Sequence, residues 1–110
     1  MPALDSAAVL RDLIAAMRGE LTQHWQLARP YAESEAKKMA ETAKLIVRGS
    51  ASGDINPQQA RILVRMQANA SQAVLTAIET IGMIAAQDAI NAALGVLKKA
   101  VNTAAGITLL

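Results

Sequence analysis

A chain of 110 residues has room for one domain and one core, and 24 alanines set against one Trp, one Tyr and no Phe leave little bulk to fill a thick interior. Closely approaching helices are what such side chains can pack. The abundance of strong helix formers and the near absence of aromatics exclude a sheet, the absence of cysteine excludes disulfides and thiolate metal sites, and a net charge of +2 argues against a nucleic-acid binder.

The first residues, MPALDSAAVLRDL, hold a short apolar run with Asp5 and Arg11 in it and no basic region ahead of it. That pattern argues against a signal peptide, and a cytoplasmic location is the default expectation. Beyond it, Ile14, Met17, Leu21, Trp25, Ala28, Ala32, Ala36, Met39, Ala43 and Val47 repeat with spacings of 3, 4 and 4, which marks one apolar stripe along a helical arm from residue 5 to 48. An 11-residue repeat gives about 3.67 residues per turn, so the arm is expected to be nearly straight. Pro30 lies inside it, removing one hydrogen bond and crowding the turn before it, so the arm is expected to kink or break there, giving two or three helices in all.

The segment RGSASGDINPQQ, residues 48 to 59, punctuates the chain. Gly49 suits the position just past a helix end, with Lys44 and Arg48 in the last turn, and residues 49–56 read as a connecting turn. Asn56, Pro57 and Gln59 then form a capping box that starts a second arm at Pro57. Two arms of this length would each span about 65 to 70 Å. The fold expected is all-α, a long antiparallel helical hairpin within a single domain of residues 1–110.

The second arm carries two apolar rows. Leu63, Met66, Ala70, Val74, Ala77, Ile81, Ala85, Ala89, Ala92, Val96 and Ala100 form the stripe expected to face the first arm. Leu75, Ile78, Gly82, Ala86, Ile90, Ala93, Leu97 and Val101 form another on a different side, in a region where residues 81 to 97 hold Asp88 as their one charged side chain. A hairpin covers only one row, and leaving five of the larger side chains of the other in water forgoes roughly 7 to 15 kcal/mol. Cover can come from the N-terminal third of the first arm folding back at Pro30, from a second copy of the chain, or from lipid. The reading taken is a homo-oligomer with that second row as its interface.

Chemistry-bearing motifs are sparse. His24 is the sole histidine and no Glu precedes it by three residues, so the paired ligand motifs of helical metal sites are missing, and neither metal nor cofactor is expected. Glu33, Lys37, Glu41 and Lys44 form a charge ladder suited to a solvated helix face. Glu79 and Asp88 interrupt the apolar run of 73 to 97, which argues against a membrane-spanning helix. In an antiparallel hairpin Lys44, Arg48, Arg61 and Arg65 converge near the tip, a possible anion patch whose bland alternative is a set of solubilising charges. With no small-molecule substrate or catalytic group evident, the expectation is a non-enzymatic structural protein that self-assembles as a scaffold, filament subunit or adaptor. The alternative is an amphipathic helical protein on a lipid surface.

Overall fold

Asp5 opens the first helix: its carboxylate accepts a hydrogen bond from the Ala8 amide at 3.1 Å, capping α1 (Ser6–Glu20). The computed structural model describes residues 4–110, and three further helices follow, α2 (Trp25–Ser52), α3 (Pro57–Thr76) and α4 (Met83–Ala105). The described residues are all-helical with no strand. Residues 1–3 of the N-terminal stretch lie outside them.

The first arm is interrupted, but ahead of the proline. After Gly19 and Glu20 the chain leaves the α-helix at Leu21, makes one short 3-10 turn over Thr22–His24, and re-enters helix at Trp25. α2 then runs through Pro30 without a break. Pro30 is exposed and lies in the second turn of α2, so the carbonyl that loses its partner there can be served by water. The break in the first arm thus falls at Leu21–His24, ahead of Pro30.

At the tip, α2 continues one turn beyond Gly49, and Gly53 closes it with φ of +82°, a conformation that a side chain resists. The Gly49 carbonyl accepts from the amides of Asp54 (2.8 Å) and Ile55 (3.0 Å), folding Ile55 back onto the helix end. Gly49 is buried at that contact, and a β-carbon there would lie 2.6 Å from Ile55 Cγ1. The turn thus contracts from 49–56 to the four residues before Pro57. The capping box forms as expected, with Asn56 Oδ1 accepting from the Gln59 amide (2.8 Å) and Gln59 Oε1 from the Asn56 amide (2.9 Å).

The second arm is also broken. Thr76, Ile78, Thr80 and Ile81 crowd β-branched side chains just before Gly82, and the helix stops at Thr76 and resumes at Met83. Two breaks turn two long arms into four helices, and the molecule measures 42 × 23 × 18 Å. The long dimension is about the length of α2 alone, at 1.5 Å per residue. The extended two-arm hairpin is thereby corrected to a four-helix unit.

Helix α1 packs on α2 and α4, and α3 packs on the same two helices. Val9, Leu13 and Met17 of α1 are buried, as are Ala86, Ile90, Ala93, Leu97 and Val101 of α4, with Leu75 and Ile78 completing the row. Of the eight residues expected to form an interface between copies, only Gly82, at the corner, is exposed. The row is spent inside one chain, where α1, α2 and α3 all pack on α4. It also continues in phase toward the N-terminus through Ala60, Val64, Ala68 and Ser71, so the core seam passes across the corner without shifting face. The other stripe divides: Ile81 and Ala89 are buried, but Met66, Ala70 and Ala77 are exposed.

Two substitutions check this arrangement. Ile90 is 1% exposed, so Ile90→Glu should cost more than about 4 kcal/mol and abolish the cooperative thermal transition seen by circular dichroism; a folded variant with a lowered assembly state would return the row to an intersubunit role. Gly49→Ala should destabilise by about 1 to 3 kcal/mol in urea titrations, and adding Ile55→Ala should recover part of the loss, because the clash needs both side chains.

Candidate functional site

Helices α2 and α3 are joined by a polar chain within the otherwise apolar core. Glu35 is 2% exposed and Ser71 is fully buried. The Ser71 hydroxyl donates to Glu35 Oε1 at 2.8 Å, Lys38 Nζ donates to Glu35 Oε2 at 3.0 Å, and Gln67 Nε2 donates to Ser71 Oγ at 3.0 Å. Thr42 extends the chain by donating to Gln67 Oε1 at 3.2 Å. Among the described residues no buried side-chain nitrogen or oxygen lacks a partner. Such a network tolerates no slip of one helix along the other, because any shift would strand a buried carboxylate. It therefore sets which side of α3 faces outward.

That outward side is uncharged, with exposed Asn69 and Thr76 beside its apolar residues. Met66 (63% exposed), Ala70, Ala73 and Ala77 follow one another along α3, and no charged residue occurs between Arg65 and Glu79. At the α3–α4 corner the surface continues onto Met83, which shares a shallow groove with Ala73 and Ala77. On the other side of Ala77 lie Leu27, Tyr31 and Val74, the first two half exposed. Ile84, 75% exposed, projects beside Met83 at the start of α4.

The four cations expected to share one anion patch do not. Arg61 and Arg65 line a groove between α3 and α4 together with Lys98. Thr42 bonds Gln67 of α3, and at about 100° per residue Lys44 and Arg48 lie about 200° and about 240° around α2 from it. The two-arm reading aligned them by height along the hairpin; the rotation of each helix separates them.

His24 and Trp25 are half-buried at the first reversal, where the Arg18 guanidinium carbon stands 5.7 Å from the centroid of the Trp25 ring in a cation–π contact. Among the described residues no three His, Cys, Asp or Glu side chains come close enough to share a metal ion, and no helix is long and apolar enough to cross a membrane. Comparison with protein-family models, with curated proteins and with solved structures finds no match to this chain.

Sequence reasoning passed over Glu35 and Lys98. The signal for Glu35 was present, since it falls seven residues after Ala28, on the flank of the apolar stripe, while Ser71 falls on the extension of the second row. Lys98 became a partner of Arg61 and Arg65 only through the packing of α3 on α4.

The polar chain has a distinct energetic signature. Ser71→Ala should destabilise by about 1 to 3 kcal/mol in chemical denaturation, because one Glu35 oxygen is left without its buried donor. Replacing both partners, Glu35→Met with Ser71→Ala, should restore most of the stability or exceed the parent, since the desolvated charge is gone.

Proposed function

We propose that this protein is a non-enzymatic interaction module that pairs with a second copy of itself through the outward face of α3. The observation that carries the reading is the uncharged strip Met66, Ala70, Ala73 and Ala77, all four of whose side chains are exposed. Its spacings of 4, 3 and 4 read the same in both directions. A two-fold axis beside Ser71 and Gln72 therefore sets Ala70 against Ala73 of the other copy and Met66 against its Ala77.

Small side chains at the centre let two helix backbones approach closely, and the methionines at the ends adapt to the gaps that remain. A contact that uses the same patch on both copies closes on itself, so it yields a dimer and not a filament. Such a dimer carries two copies of every other surface, which suits an adaptor or scaffold.

The lipid-surface alternative draws on a different observation, the exposure of Met83 (67%) and Ile84 (75%) at the corner. Both side chains project where a headgroup region could take them up.

Sedimentation equilibrium separates these readings. The parent chain should sediment as a dimer, and Ala73→Glu, which adds a charge at the centre of an exposed strip, should give a folded monomer with its melting temperature shifted by only a few degrees. A parent that stays monomeric up to high micromolar concentration would refute the pairing. Cosedimentation with anionic vesicles, lost in Ile84→Glu but kept in Ala73→Glu, would favour the lipid reading in its place.

A further inference from the structure

The groove between α3 and α4 adjoins the proposed pairing strip at Asn69 and Gln72 but draws its cations and its apolar lining from other side chains. Its apolar lining comes from Val64 of α3, Leu94 of α4 and Leu110, each partly exposed, over the buried Ala68 and Ile90. Its volume is about 370 Å³. Along α3 it extends from Arg61 to Gln72, about 16 Å at the rise of an α-helix.

The two ends of the groove differ. α3 and α4 run in opposite directions from their shared corner, so Arg61 and Arg65, early in α3, and Lys98, late in α4, all stand at the end remote from that corner. Gln72 and Asn91 lie nearer the corner. The ion pairs among the described residues are Arg29 with Glu33 and Lys38 with Glu35, so none of the three groove cations has an acidic partner, and no acidic side chain lines the groove. A groove with an apolar middle, uncharged amides toward the corner and unpaired cations at the remote end is complementary to a molecule that is apolar along part of its length and anionic at one tip.

The geometry points to a binding site for a single-chain amphiphile with an anionic head, a long-chain carboxylate being the simplest member of the class. The head lies among Arg61, Arg65 and Lys98, and the chain lies over Ala68 and Leu94 toward the corner. A bare anion would use the cations but leave the floor in water, and an uncharged chain would cover the floor but leave the cations unmatched. Both parts of the ligand are required.

The test is a calorimetric titration of the full chain with sodium dodecanoate below its micelle concentration, alongside dodecyl maltoside and inorganic phosphate. Saturable binding of dodecanoate is expected, with the maltoside and phosphate at least about tenfold weaker. The variant Arg61→Gln, Arg65→Gln, Lys98→Gln should keep the parent's thermal melt and weaken dodecanoate binding at least about tenfold. Leu94→Gln should weaken it from the other end, and Ala73→Glu should leave it unchanged, which keeps this result separate from that of the pairing. Absence of saturable dodecanoate binding, equal binding by the triple variant, or phosphate binding as tightly as dodecanoate would each overturn the assignment.

Discussion

The most continuously apolar helix of this chain, α4, has to be covered on more than one side, and the return of α1 across it is the constraint from which the rest of the fold follows. Eight residues of α4 are buried, from Ala86 to Ala105. A helix with so narrow a polar strip cannot be satisfied by one neighbour, because a single helix contact covers only one stripe of its surface. With α1 reversed at Leu21–His24, residues Val9, Leu13 and Met17 supply the second wall, and α2 supplies the other. The tail contributes as well: Gly106 turns the chain with φ of +72°, the Asn102 side chain accepts from the Leu109 and Leu110 amides at 2.8 Å each, and Leu109 is buried.

Both reversals occur where local helix preference is weak, yet neither disturbs the apolar phase. Leu21 and Trp25 keep their places on the stripe of the first arm across the 3-10 turn. Ile78 and Ala86 keep theirs across the corner between α3 and α4. A break that preserves phase lets the chain exchange one long contact for two shorter ones without exposing a row. A compact unit then buries faces that a 65 to 70 Å hairpin would leave to another molecule.

Helix α3 is where this economy ends. It buries only Ala60, Ala68, Ser71 and Leu75, half the number that α4 buries. Its inner face carries the polar chain to Glu35, which fixes its rotation against α2. The same rotation settles what remains outside: an uncharged strip on one flank and a basic-ended apolar groove on the other. Both candidate surfaces involve α3, whose inner face is occupied by this polar chain and a short row of buried residues.

Local chemistry was legible in the residues themselves. The all-helical class follows from composition, the start of α3 from Asn56, Pro57 and Gln59, and the apolar phase of the first arm from spacing, because each depends on neighbours within one or two turns. The stop of α2 was misplaced by one turn: Gly49 and Gly53 both suit a helix end, and only the return of Ile55 onto Gly49 distinguishes them. Pro30 misled for a related reason, since a proline near a helix start and exposed to water costs less than one in a packed interior. What the tertiary structure alone decided was pairing. Three possible covers for the second row have the same sequence signature, because burial against one's own chain, a second copy or lipid demands the same apolar side chains. Only the path of the backbone between α1 and α4 selects among them, and that path also determines which cations become neighbours.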